Sequence, residues 1–170
     1  MNKGRIIVVP YCEQWPREFD KIRSGLAAAL GDTALSIEHV GSTSVPGLWA
    51  KPIIDVDVVI NDSAALPEAI SRLQTAGYHH EGDLGVTGRE AFKYSNKPEL
   101  MTHHLYVCPQ DSPELARHIR FRDYLRGHPD AALEYSRVKR EGAELFPDDI
   151  DGYISHKCGF IEEIYRLAGL

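Results

Sequence analysis

The stretch Glu38-His39-Val40-Gly41-Ser42-Thr43-Ser44-Val45-Pro46-Gly47-Leu48-Trp49-Ala50-Lys51-Pro52-Ile53-Ile54-Asp55-Val56-Asp57-Val58-Val59-Ile60 decides how this chain reads. It alternates like a strand, breaks at a glycine turn, passes a short helical turn and resumes as a second strand carrying Asp-x-Asp. Residues two apart on a strand share a face, so Asp55 and Asp57 project together while Ile54, Val56 and Val58 face the other way. Two carboxylates side by side repel unless a cation sits between them. Hard oxygen ligands of that kind suit Mg²⁺, with Mn²⁺ as the alternative ion, and phosphate oxygens commonly complete the shell. The Gly41-Ser42 turn just upstream offers backbone N–H groups and a hydroxyl to a phosphate. The residues by themselves describe a metal and phosphate site.

Upstream, Ile6-Ile7-Val8-Val9 reads as a short strand ended by Pro10. Phe19, Ile22, Leu26 and Leu30 recur at helical spacing between Pro16 and Gly31, which suit the first turn and the stop. Leu35 to Val40 is the strand entering the turn. Downstream, Asn61-Asp62-Ser63 caps a helix from about Ala64 to Ala76, closed by Gly77. Tyr78-His79-His80 reads as a strand stub, Arg89 to Tyr94 as a hairpin arm, and Thr102 to Val107 as a strand with His104 and Tyr106 on one face. Helices are expected near Pro113–Gly127, Asp130–Leu145 and Asp149–Ala168, with Pro129 and Pro147 at the breaks. The expected architecture is a single α/β domain over residues 1–170, with an α/β core to about residue 110 and a helical C-terminal layer from 111 to 170.

Acidic residues outnumber basic ones, 25 to 19, which argues against nucleic acid as a non-specific partner. No apolar run approaches the roughly 20 residues of a membrane helix, and the apolar run before Pro10 is too short for a signal peptide. A cytoplasmic location is the expectation. Three cysteines, Cys12, Cys108 and Cys158, form no C-x-x-C pair and suggest neither a disulfide framework nor a nucleophile. The His79-His80 and His103-His104 pairs match no zinc spacing, since neighbouring strand residues face opposite sides. No heptad repeat or apolar stripe specifies an oligomeric state. The turn also fails the P-loop pattern, because Pro46 stands where the second glycine belongs, and it lacks G-x-G-x-x-G.

The run from Glu38 to Gly47, with Lys51-Pro52-Ile53-Ile54-Asp55, resembles the signature of the GrpB-like family of the nucleotidyltransferase superfamily, whose members are also found fused to dephospho-CoA kinase. Thr102-His103-His104-Leu105, Phe121-Arg122-Asp123-Tyr124-Leu125-Arg126 and Tyr153-x-x-x-Lys157-x-x-Phe160-Ile161 extend the resemblance over nearly the whole chain. It implies a mixed sheet flanked by helices, a Gly-Ser turn, Asp-x-Asp, and a third acid on a later strand. Gly41-Ser42 and Asp55/Asp57 match; the later strand offers His104 and Tyr106 instead of an acid.

The implied activity is a Mg²⁺-dependent transfer of a nucleotidyl group from a nucleoside triphosphate to an unidentified acceptor hydroxyl. Asp55 and Asp57 would hold metal, with Glu38 as a further ligand, and His104 or Glu38 would handle the acceptor proton. Lys51, Arg89, Lys93, Arg122, Arg126 and Lys157 are the expected contacts to the anionic substrate, beside Gly41 and Ser42. The alternative, motivated by the missing acid, is a non-catalytic nucleotide- or phosphate-ligand-binding module.

Overall fold

The structure, a computed structural model, describes residues 4–170. Part of the opening segment behind the signal-peptide reading, residues 1–3, lies outside them. Five strands, β1 (Ser36–Val40), β2 (Ile54–Ile60), β3 (His79–Gly82), β4 (Glu90–Lys93) and β5 (His103–Pro109), form one sheet in the order β1-β2-β5-β4-β3. Only β2 and β5 run parallel; the other pairings are antiparallel, so the sheet is mixed. The parallel pair needs a long crossover, which α2 (Leu66–Thr75) and the β3–β4 hairpin supply between them.

The pleat of β2 sorts its side chains. Ile54, Val56, Val58 and Ile60 are sealed beneath α1 (Trp15–Leu30) and α2, against Trp15, Ile22, Leu26, Leu30, Ala69 and Leu73. The same alternation turns Asp55, Asp57 and Val59 to the opposite face. There α3 (Pro113–Gly127) lies over part of the sheet, packing Leu115 on Val59 and Cys108. Asp57 therefore sits beneath a helix on an internal strand, where an unpaired charge is costly, while Asp55 stays partly exposed.

The helical layer is completed by α4 (Pro129–Leu145) and α5 (Ile150–Leu167). Leu125, Ala132, Tyr135 and Ile164 close around Val45 and Leu48. The segment between the Gly-Ser turn and β2 is thus the anchor on which the C-terminal helices dock. That docking carries their side chains to the acidic face of the sheet.

One expected element does not form. Ile6 to Val9 makes no strand; Val9 forms an isolated antiparallel bridge with Ala50, and the Ile6 amide donates to Pro147 O at 2.7 Å. The run is apolar because Ile6 is buried, but its backbone bonds to two loops, while Ile7 is 57% exposed. The helix expected from Ala64 begins as a 3₁₀ turn at Ser63–Ala65, capped by Asp62, whose carboxylate accepts from the Ala64 amide at 3.0 Å. The remaining strands and helices lie within a few residues of their expected limits.

Candidate functional site

The site begins with a backbone that only glycine serves well. Gly41 has φ +71°, and a Cβ built there would collide with the Asp55 carboxylate. The absence of a side chain lets the turn lie directly against the acid. Side chains hold the turn from behind. Ser44 Oγ donates to Gly41 O at 2.5 Å, Thr43 Oγ1 donates to Ile53 O at 3.3 Å, and the His39 ring nitrogen Nε2 is 2.9 Å from Thr43 Oγ1. His39 is stacked on Phe19, and burial together with the charge of Arg126 lowers its pKa to about 4.

The two acids occupy different surroundings. Asp55 Oδ1 accepts from Nδ1 of His104 at 3.0 Å, and both residues remain partly open to solvent. Asp57 is fully buried, with Oδ2 2.5 Å from Nδ1 of His118 on α3. Burial pushes the Asp57 carboxyl above its ordinary range, against the pull of His118. For His118 the burial penalty is outweighed by the hydrogen bond and charge of Asp57, so its pKa is raised.

The carboxylates fit a divalent cation in one respect. Asp57 Oδ1 is buried and has no hydrogen-bond partner, and an acceptor-only atom in that state calls for a cation or a donor. Among the described residues no group of three or more His, Cys, Asp or Glu side chains could hold a metal. Asp55 and Asp57 are therefore the pair available. A cation held by two carboxylates, with its remaining positions left to water and substrate oxygens, is the Mg²⁺ style of binding.

Asp55 stands in the wall between two clefts. The first, about 190 Å³, is lined by Ser42, Lys51, His104, Lys139, Tyr153 and Lys157, among others. Lys139, on α4 and only 3% exposed, donates to Ser42 Oγ and, at 3.2 Å, to Trp49 O, with its ammonium 4.3 Å from the Tyr135 ring centroid. Lys157 and Lys51 both approach the Tyr153 ring, at 4.3 and 5.9 Å from its centroid. Among the described residues none of the three lysines forms an ion pair. Burial first, then mutual repulsion, lowers Lys157 to about 8 and holds Lys139 well below the ordinary lysine range. A polyanion entering this cleft would relieve that repulsion.

The second cleft, about 200 Å³, lies on the other side of Asp55 and is lined by Val40, Gly41, Asp55, Arg89, Tyr106 and His118. Register explains the pairings beside it: β5 sets His104 opposite Asp55 and Tyr106 opposite Asp57.

Gly41, Ser42, Lys51, Asp55, Asp57, His104 and Lys157 thus come together. Arg89, also named from sequence, lines the second cleft instead, while Glu38, Lys93, Arg122 and Arg126 line neither. Glu38 accepts from Arg122 at 2.8 Å, and Arg122 also donates to His39 O. Arg126 donates to Ser44 O at 2.9 Å, so both arginines brace β1 and the turn from behind. Lys93 is exposed on β4, 3.9 Å from Glu81. Sequence reasoning missed His118 and Lys139, one polar residue on each of two helices. The signal available was weak: each sits among other charged residues of its helix, and His118 has Glu114 one turn away, 4.0 Å from its Nε2, as a ready local partner.

Fold and site together define a mixed α/β protein with paired carboxylates beside a lysine-lined cleft. The GrpB protein family profile matches residues 5–167, and the chain belongs to that family. The relatives agree. The glutamate-rich protein GrpB of Alkalihalophilus pseudofirmus is 36% identical over 167 residues, covering 96% of each chain. UPF0157 protein YqkA of Bacillus subtilis is 37% identical over 161 residues, and there the match spans 94% of this chain but 46% of the relative's length. A dephospho-CoA kinase of Mycolicibacterium paratuberculosis is 29% identical over 189 residues, across 98% of this chain and 46% of that protein. Among solved structures, the conserved protein GrpB from Enterococcus faecalis superposes with a TM-score of 0.83 at 35% identity, covering 95% of this chain and 96% of that one. Among the described residues no helix is long and apolar enough to cross a membrane.

Proposed function

We propose that this GrpB-family chain transfers a nucleotidyl group from a nucleoside triphosphate to an acceptor hydroxyl. One observation carries the reading. Lys51, Lys139, Lys157 and Ser42 converge, without neutralising partners, on a cleft whose wall is the more exposed of two paired carboxylates. Cations next to acids make sense when the ligand is a phosphate chain whose own charge is partly met by a divalent ion. The likeness of the Gly41-Ser42 and Asp55/Asp57 spacing to the nucleotidyltransferase superfamily pattern supports the same substrate class.

In this reading Ser42 and the three lysines bind the β- and γ-phosphates and fix the α-phosphorus near Asp55. A Mg²⁺ ion held by Asp55 and Asp57 would supply neutralisation of the phosphate charge. The acceptor oxygen bonds to the α-phosphorus while the bond from that phosphorus to the α–β bridging oxygen breaks. Pyrophosphate departs. The hydroxyl proton passes to Nε2 of His104, whose Nδ1–H is engaged by Asp55. Positioning and electrostatics do most of the work in such a site.

The test is turnover of α-³²P-labelled nucleoside triphosphates with a mixture of small-molecule and protein acceptors. The reading expects Mg²⁺-dependent transfer of label with equimolar pyrophosphate, abolished in Asp55→Asn. A second reading, a binding module without chemistry, is favoured by the absence of a carboxylate on β5 beside Asp55 and Asp57, where His104 and Tyr106 stand. Nucleotide binding without turnover, and unaffected by Asp55→Asn, would decide for the module.

A further inference from the structure

Arg89, expected from sequence to contact the anionic substrate, lines the second cleft and not the one lined by Lys51, Lys139 and Lys157. Arg89 precedes β4 and lays its guanidinium over the Tyr106 ring, 4.3 Å from the centroid. Its Nε is sealed from solvent and has no hydrogen-bond partner, and among the described residues the side chain forms no ion pair. A guanidinium resting over an aromatic ring still offers its planar N–H fork, which matches the two oxygens of a carboxylate or a phosphate. Leaving the Nε donor desolvated and unpaired is costly, a cost that a ligand in the adjoining cleft would relieve.

The cleft itself is small. At about 200 Å³ it falls below the roughly 300–1,000 Å³ of pockets that enclose drug-sized ligands. Asp55 is the residue its lining shares with the lysine cleft. A molecule seated here would meet a nucleotide in the lysine cleft across Asp55, where the transferred group must pass.

The geometry points to Arg89, oriented by Tyr106, as the anchor of an oxyanionic group on the acceptor, so that the acceptor is a small hydroxyl compound bearing a carboxylate or a phosphate. This inference rests on the transfer reading for its word acceptor, while the anion site itself stands on Arg89 alone. Arg89 would bind the oxyanion through its N–H donors, and the hydroxyl would extend toward Asp55.

The side-chain Nε–H resonance of Arg89 reports on this site directly. In a ¹H–¹⁵N correlation spectrum it is assigned by its loss in Arg89→Lys. The protein would be titrated with inorganic phosphate, with glycolate, and with ethylene glycol as an uncharged control, each with and without a saturating non-hydrolysable triphosphate and Mg²⁺. The expected result is a saturable shift with one or both anions and none with ethylene glycol, persisting when the triphosphate is present. A shift with phosphate alone names a phosphorylated acceptor, and one with glycolate alone a carboxylated one. The inference is overturned if neither anion moves the resonance, if ethylene glycol moves it equally, or if the triphosphate itself moves it and blocks the anions. Failure of the triphosphate to bind anywhere, with the anion shift intact, would instead count against the transfer reading and leave the anion site standing. Once an acceptor is known, Arg89→Met is expected to raise its KM about tenfold or more while the nucleotide KM stays unchanged, as for loss of a charge-assisted hydrogen bond.

Discussion

Nδ1 of His118 stands 2.5 Å from Oδ2 of Asp57, joining α3 to the acidic face of the sheet across 61 residues of sequence. Asp57 is fully buried, and its other oxygen has no partner. His118 is thus what makes the carboxylate tolerable where it lies. His118→Ala is expected to destabilise the protein by about 1–3 kcal/mol, the cost of leaving a buried polar group unsatisfied. Urea unfolding of the single variants and of His118→Ala/Asp57→Asn measures it, and the two changes should be coupled by more than about 0.5 kcal/mol. Strict additivity would mean that the contact contributes nothing.

Gly41→Ala tests the turn. The substitution places a side chain at a left-handed backbone and against the Asp55 carboxylate. A cost of at least about 1–2 kcal/mol follows from the backbone conformation alone. The far-ultraviolet circular dichroism should remain that of the wild type at low temperature, while nucleotide-dependent stabilisation disappears. Retained nucleotide binding would show that the turn need not lie against Asp55.

Acid sensitivity should trace to His39. Burial and Arg126 lower its pKa from 6.5 to about 4. The unfolded chain therefore takes up a proton in this range that the folded chain refuses, and stability falls as pH drops from 6.5 toward 4. The full difference is on the order of 3 kcal/mol. Stability measured across that window should decline less steeply in His39→Gln than in the wild type.

Lys157 acts with the same sign in the alkaline range. Burial and the neighbouring Lys51 lower it to about 8, so between pH 8 and 10.5 the folded chain holds less proton than the unfolded one. Stability gains from this group as pH rises through that window. A bound triphosphate would restore the charge and draw in a proton. Calorimetry of nucleotide binding near pH 8 in two buffers of different ionisation enthalpy should show net proton uptake, reduced in Lys157→Met.

Much of this site was written in a single stretch of sequence. The alternation of Ile54, Asp55, Val56, Asp57 and Val58 gave both the strand and its acidic face, because period-two patterning leaves one solution when one face must be buried. Gly41, followed by polar residues and Pro46, marked the turn. What stayed hidden depends on how helices dock. Lys157 was named from the sequence, but nothing local says that Lys139, on the separate helix α4, ends beside Ser42; the packing of Tyr135 and Ile164 on Val45 and Leu48 decides it. His118 was hidden for the same reason. Arg122 and Arg126 carry a charge pattern that suits a substrate, yet the structure uses them on Glu38, His39 and Ser44. The Ile6–Val9 run shows the limit of hydrophobic pattern: burial of Ile6 does not require a sheet neighbour.

The most direct measurement is a thermal-shift titration of the wild type and Asp55→Asn with each nucleoside triphosphate, with and without Mg²⁺. A ligand that binds only the folded state raises apparent stability by mass action, by about 2.7 kcal/mol at a hundred times its Kd. The account predicts an upward shift for the wild type that needs Mg²⁺ and is lost in Asp55→Asn. No shift with any triphosphate, or a shift indifferent to both Mg²⁺ and Asp55, would contradict it.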